Sequence, residues 1–305
     1  MRAALLTNSI TDLIGDTPLA KLRSISPPNT NIYVKLEYLN PTGSHKDRIA
    51  LYMVKDAVER YGLKQGDVVV EASSGNTAIS VAFVSKNLGL KPVIVVDEEA
   101  SSEKISMLKL LGAEVLYGSS DPTSPRNYVR IAEAVARERG GVFLNQYENP
   151  DNIRAHYETT AREIWRSLGE NITAFVMGVG TGGTITGVGR FLKEKSPKIK
   201  VIAVVPKGAR VVGGPGTEVI DGLASKNVYR NFDRSIVDLI VEVSRAESIE
   251  MARRLVNEEG VMAGISAGAN VYASLLVAKS LPPESTIVTI APDSAFRYLS
   301  VLLEK

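Results

Sequence analysis

The chain has 305 residues, 44% of them hydrophobic and 23% charged, enough to build one large core or two medium ones and too apolar for a disordered chain. Thirty-six basic residues against 34 acidic ones leave a net charge of +2, and the basic residues are scattered, which argues against a nucleic-acid partner or a membrane-surface field. There is no cysteine and the only histidines are His45 and His156, so disulfides, thiolate nucleophiles, and cysteine- or histidine-based metal centres are not expected.

The N-terminal run Met1–Ser9 lacks a signal-peptide core, and no apolar run approaches the ~18 residues of a membrane helix, so a cytoplasmic protein is expected. In chain order, Ile32–Leu36 reads as a strand, followed by the polar run Asn40–Arg48 and a helix over Ile49–Tyr61. Strand Val68–Val70 runs into Ser73-Ser74-Gly75-Asn76-Thr77 and a helix over Thr77–Leu88. Strand Val93–Val96, helix Ser102–Leu111, strand Glu114–Tyr117 and helix Tyr128–Arg139 follow.

Turn-rich Gln146–Asn152 is the best candidate domain boundary. After it come helix Ala155–Leu168, strand Ala174–Met177, a glycine run from Gly178 to Thr184, and helix Thr186–Lys195. Strand Val201–Val205 leads into a long irregular segment, Lys207–Asn231. Strand Ile236–Val243, helix Ser248–Glu259, the run Gly264-Ile-Ser266-Ala-Gly268, helix Gly268–Ser280 and strand Thr286–Ile290 complete the pattern. Repeated strand-then-helix order predicts an α/β fold with two three-layer αβα domains and mostly parallel, twisted sheets. A boundary near residue 146 puts a ligand site in the cleft between the domains.

Four motifs carry chemistry. Gly180, Thr181, Gly182, Gly183 and Thr184 follow a strand and open a helix, an arrangement that brings backbone N–H groups and hydroxyls to an anion. A tight turn without a ligand is the plain alternative, and four glycines in six residues weigh against it. The spacing also fits a dinucleotide fingerprint. The next strand, however, ends in Pro206-Lys207 without the acid such a site wants, leaving an NADP-dependent oxidoreductase as the remaining form of that reading. Gly264–Gly268 matches a hydrolase nucleophile elbow, but both histidines precede Ser266 and the hydrolase order fails. Ser266 could otherwise be a simple helix N-cap.

Lys46 could be an ordinary lysine at a helix start, where Ser44 can cap. An amide-rich helix start also favours the neutral amine that Schiff-base chemistry needs. The hydroxyl-rich loop Ser73–Thr77 suits an amino-acid carboxylate, although such turns are common. A lysine nucleophile, a polar loop, a glycine anion cradle and an isolated serine, in that order, point to pyridoxal 5'-phosphate. His45, His156 and Trp165 read as packing or surface residues.

On these motifs the chain resembles the cysteine synthase family of fold-type II pyridoxal-phosphate enzymes, in the wider tryptophan synthase β-like and cystathionine β-synthase-like group. The similarity runs from Ile14-Gly-Asp-Thr-Pro-Leu19 to Arg297-Tyr-Leu-Ser300. It implies that Lys46 is the cofactor lysine and that Asn76 meets the ring hydroxyl. Ser73, Ser74, Gly75 and Thr77 would hold the substrate carboxylate with help from Gln146. The phosphate loop would be Gly180–Thr184, and Ser266 would face the pyridine nitrogen. It also implies a small mobile substrate-binding domain over 36–145, a larger cofactor-binding domain over 1–35 plus 146–305, and a homodimer.

The activity implied is β-replacement of an activated serine, O-acetylserine or O-phosphoserine, with sulfide to give cysteine. Condensation of serine with homocysteine is the alternative. His45, Ala72, Ser73 and Ala78 depart from the family's usual residues, which bears on the substrate and not on the cofactor. Substrate contact is further expected at Gly222 and at Arg210, which with Lys207 would favour a phosphate leaving group. Solvated loop charges are an equally good reading of those two cations.

Overall fold

Most strands in this chain are short apolar runs followed by a turn and a helix, and the computed structural model, which describes residues 6–304, shows ten strands. Residues 1–5, part of the run read above as lacking a targeting core, lie outside the described residues. In chain order the elements are β1 (Leu19–Lys21), β2 (Thr30–Leu36), α1 (Lys46–Tyr61), β3 (Val68–Ala72), α2 (Asn76–Asn87), β4 (Lys91–Asp97), α3 (Ser102–Leu110), β5 (Glu114–Gly118), α4 (Tyr128–Glu138) and β6 (Val142–Phe143). The second half adds α5 (Asp151–Ala155), α6 (Ala161–Leu168), β7 (Ile172–Gly178), α7 (Gly183–Lys195), β8 (Lys200–Pro206), β9 (Leu239–Val243), α8 (Arg245–Glu259), α9 (Ile265–Ala278), β10 (Ser285–Ala291) and α10 (Leu299–Leu303).

The chain divides into two compact units, Met1–Gly15 with Asn40–Asn152, and Asp16–Leu39 with Ile153–Lys305. The first contains a four-stranded, all-parallel sheet in the order β5-β4-β3-β6. Val70 and Ala72 of β3 and Val93 and Val95 of β4 share one face with Ala132, Val135 and Ala136 of α4.

The second unit contains a six-stranded sheet, β1-β2-β10-β7-β8-β9, parallel except for the antiparallel edge strand β1. Period-2 alternation divides its strands between two cores. Ala174, Val176, Ile202 and Val204 pack with α8 and α9, through Met251, Leu255, Ala267 and Val271. Phe175, Met177, Val201 and Ala203 pack with α6 and α7, through Ile164, Ile185, Val188 and Leu192. Strands buried on both faces need near-continuous apolar sequence, which is why these runs were legible.

Several expectations are corrected. Ile236 lies in a 3-10 turn, Arg234–Ile236, and the strand begins at Leu239, because Asp233 caps that turn through Ser235 N–H and Asp238 ties its own backbone N–H and carboxylate to Val201. The helix expected over Ala155–Leu168 is interrupted by a π turn, His156–Thr160, in which Ala161 N–H reaches back five residues to the His156 carbonyl. β1 and β6 were not foreseen, being three and two residues long.

The second unit also buries a cation. Lys35 Nζ on β2 lies 2.7 Å from the Glu163 carboxylate, 3.9 Å from Glu37 and 2.7 Å from the Thr17 carbonyl, while Thr17 Oγ1 donates to Glu37 at 2.6 Å. Removing one member of such a network strands the opposite charge in the interior. Lys35→Met is therefore expected to cost about 3–5 kcal/mol, read as a lower urea midpoint at unchanged m-value. Adding Glu163→Gln should return part of that loss.

Candidate active site

Among the described residues, three helices begin on a glycine cap. α2, α7 and α9 have Gly75, Gly182 and Gly264 as N-caps, none with a side chain to occupy the first-turn N–H groups. By contrast α3, α4 and α8 are capped by Ser101, Asn127 and Ser244. The glycine-started helices carry Asn76, Gly183 with Thr184, and Ser266, whereas Lys46 opens α1 after His45.

In the first unit, Lys46 is the first residue of α1. The turn before it is closed by Gly43 N–H to the Asn40 carbonyl at 2.8 Å, and Ser44 Oγ accepts from Lys46 N–H at 3.1 Å. The next residue anchors the turn: buried Asp47 accepts from Thr42 N–H at 2.8 Å, Thr42 Oγ1 at 2.5 Å and Ser80 Oγ of α2 at 2.6 Å. That ties the lysine turn to the helix that starts with Asn76.

In the loop before α2, Ser73 Oγ accepts from Gly75 N–H at 3.2 Å and Ser74 Oγ from Asp97 N–H at 2.7 Å. Buried Thr77 donates to Gln146 Oε1 at 2.6 Å, so the structure joins two of the sequence candidates directly. Gln146 is held in turn by Asn152 Nδ2, which donates to its carbonyl at 2.8 Å.

Beneath that loop lies Glu71, a residue missed from sequence. It is fully buried at the end of β3, its Oε1 is 3.5 Å from Gln146 N, and its Oε2 has no hydrogen-bond partner among the described residues. Burial pushes its carboxyl up from 4.5 to about 8, partly offset by the backbone N–H groups of Gln146 and Ala72.

In the second unit, Gly182 has φ +90°, and a Cβ there would lie 2.6 Å from the backbone of Phe232. The adjoining residues are pinned over the loop by Thr186, whose Oγ1 donates to the Asn231 carbonyl at 2.7 Å and accepts from Asp233 N–H at 3.0 Å. Thr181 and Thr184 are buried. Gly180, Gly222 and Ser266 come together: a Cβ on Gly180 would sit 2.6 Å from the Gly222 carbonyl, and one on Gly222 would sit 3.7 Å from Ser266 Oγ.

Ser266 is the second residue of α9 and is buried. Gly264 takes the cap position, which removes the N-cap reading of the serine. Arg210 instead heads an exposed 3-10 turn, Arg210–Val212, with its N–H on the Ser225 carbonyl and its side chain over Gly216. Lys207 lies near Glu247, whose carboxyl is held low first by Ser244 N–H, then by Tyr272, and also by the Lys207 charge.

His156, expected to be a packing or surface residue, is fully buried and contacts Thr184, with Nε2 3.1 Å from Oγ1. Its spacing of four from Thr160, within the π turn, is its only signal in the sequence.

Parallel α/β units that present an anion cradle at one helix start, a carboxylate-sized loop at another and a lysine at a third define a class of enzyme for phosphorylated cofactors. A model of the pyridoxal-phosphate dependent enzyme family matches residues 10–293, and the chain belongs to that family, whose cofactor is pyridoxal phosphate. It is 40% identical over 300 residues to a cysteine synthase of Staphylococcus aureus, covering 97% of this chain and 96% of that one. It is also 40% identical over 299 residues to a cystathionine beta-synthase of Apis mellifera, covering 94% of this chain and 59% of that one. A solved structure of an O-ureido-L-serine synthase superposes with a TM-score of 0.92 at 38% identity, covering 98% of this chain and 95% of that one.

The residues present fit the cofactor. Gly180 and Gly182 let the loop pack against the Gly222 and Phe232 backbones where no Cβ would fit, the start of α7 offers amides and threonine hydroxyls suited to a phosphate, and a buried neutral hydroxyl suits a pyridine nitrogen. The nicotinamide alternative gives way to this family assignment.

Glu71 gives a pH test. The folded chain keeps the Glu71 proton up to pH about 8, whereas the unfolded chain releases it from about 4.5. The stability associated with the neutral carboxyl is complete below 4.5 and is lost as pH rises towards 8, at up to about 1.4 kcal/mol per pH unit. Glu71→Gln should flatten that fall, so urea melts at pH 5 and pH 8 should show the variant gaining on the unaltered protein at the higher pH by on the order of a few kcal/mol.

Proposed function

We propose that this chain is a cysteine synthase, replacing the Cβ substituent of an activated L-serine with sulfide to give L-cysteine. The observation that supports this most is the Ser73–Thr77 loop at the uncapped start of α2, locked to Gln146, in the same unit as Lys46. Amides and hydroxyls gathered there suit the α-carboxylate of an amino acid.

In this reading Lys46 holds the cofactor aldehyde, Asn76 meets the ring hydroxyl, residues 180–184 take the phosphate, and Ser266 gives the ring nitrogen a neutral partner. When bound, pyridoxal phosphate supplies an electron sink that acidifies the substrate Cα–H. Lys46 Nζ would take that proton as general base. The Cβ–O bond breaks and its electron pair leaves with acetate or phosphate. Hydrosulfide forms the new Cβ–S bond, and Lys46 returns the proton to Cα. Ser73, Ser74, Gly75 and Thr77, with Gln146, keep the carboxylate fixed throughout, while Gly222 borders the substrate. A homodimer in the cytoplasm is part of the same proposal.

Borohydride reduction followed by digestion and mass spectrometry should place the pyridoxyl mass on the Lys46 peptide, and Lys46→Ala should bind cofactor while turnover collapses. Mass on any other lysine would sink the assignment. Ser266→Ala should keep the cofactor and lose about two- to tenfold in rate, one neutral hydrogen bond being worth about 0.5–1.5 kcal/mol. Ser266→Asp should do more harm.

The similarity to a cystathionine beta-synthase supports a second reading, condensation of serine with homocysteine. Rapid-mixing spectra with O-acetylserine, O-phosphoserine and serine, each chased with sulfide or homocysteine, separate the two. On the donor side, Arg210→Ala should raise KM for O-phosphoserine more than for O-acetylserine; equal effects would leave the arginine a solvated loop charge.

A further inference from the structure

His156 stands between two threonines. Its Nδ1 is 2.9 Å from Thr160 Oγ1, its Nε2 is 3.1 Å from Thr184 Oγ1, and all three residues are buried. We propose that His156 is a positioning residue for the cofactor phosphate, acting through Thr184. Its neutral ring carries the proton on Nε2, donates to Thr184 Oγ1, and so leaves the threonine's single hydroxyl hydrogen for the anion. The inference rests on the reading of residues 180–184 as the phosphate loop.

The argument is one of donor counting. A threonine hydroxyl has one hydrogen to give and lone pairs to accept with. If Nε2 were bare, Thr184 would have to donate its only hydrogen to the ring, and none would remain for a phosphate. With Nε2–H, the threonine accepts and its hydrogen is released to point elsewhere. Thr160 sets the choice: its hydroxyl can donate to a bare Nδ1, which fixes the proton on the other nitrogen. The three groups then form a one-way relay, Thr160 O–H to Nδ1 and Nε2–H to Thr184 Oγ1.

Two backbone features place the ring. The π turn runs from His156 to Thr160, the two residues that make the Nδ1 contact, and single π turns within helices are frequent at functional sites. On the other side, α7 approaches this turn at Gly187, where a Cβ would strike the Ile153 carbonyl and lie 2.9 Å from Tyr157 N and 3.0 Å from His156 Cβ. Glycine at 187, one turn beyond Thr184, lets the backbones come close enough for the imidazole to reach the start of α7.

With only two histidines, nitrogen-15 NMR of histidine-labelled holoenzyme reads the tautomer directly, a His45 variant supplying the assignment. The expected spectrum for His156 is a neutral ring with Nε2–H; a bare Nε2 or a doubly protonated ring overturns the proposal. A second measurement titrates apoprotein with pyridoxal phosphate. In His156→Gln the amide nitrogen takes the place of Nε2, and affinity should stay within about threefold. In His156→Asn the side chain reaches only as far as Nδ1, and affinity should fall five- to tenfold, a fall that disappears in a Thr184→Val background. Equal losses in the two variants, or no loss in either, would overturn the role of His156 while Thr184→Val still weakened the cofactor. Unchanged affinity in Thr184→Val would overturn the phosphate-loop reading itself, and this proposal with it.

Discussion

The first N–H groups of an α-helix have no partner within the helix, and something else must bond them. That requirement organises this protein. Where nothing but structure is at stake, as at α3, α4 and α8, a serine or asparagine closes the helix start. At α2, α7 and α9 the cap position is glycine, and a missing side-chain cap costs about 0.5–2 kcal/mol. In the proposed reading an amino-acid carboxylate at the start of α2 and a phosphate at the start of α7 would offset that cost. The glycine also clears the approach, since Gly182 admits the Phe232 backbone so closely that no other residue would fit.

The rigidity of the site comes from polar contacts between its own residues and those beneath them. Asp47 gathers Thr42 and Ser80, so the turn that ends at Lys46 cannot shift without α2. Thr186 clamps residues 231 and 233 over the glycine loop. Thr77 and Gln146 are held to one another although 69 positions separate them. Each is a short, buried, polar contact, strong because water is excluded and costly if half broken.

The parts of this picture that sequence made legible are those encoded locally. Strands buried on both faces announce themselves by their apolar runs, and the glycine loop, the Ser73–Thr77 loop and the Lys46 turn each sit within a few consecutive residues. What sequence did not reveal depends on neighbours distant in the chain. β1 is a strand only because it pairs with β2, and β6 because β3 offers it an edge. Nothing local distinguishes Glu71 from an exposed glutamate, or His156 from a packing residue; the loop from Gln146 buries the first and the approach of α7 buries the second. The π turn was hidden for the opposite reason, since its residues keep helical spacing and only the hydrogen-bond step changes.

The pairing of β2 with β10 has a consequence for how the molecule is made. Residues 30–36 lie between the β1 edge and a partner that starts at residue 285. On a ribosome adding about 5–20 residues per second, β2 emerges roughly ten seconds to a minute before β10 exists. Residues 40–152, with a parallel sheet of their own, are complete far sooner. A nascent chain therefore holds a finished globule with an orphan hairpin on its N-terminal side, and that hairpin's open edge is where a chaperone would find its substrate.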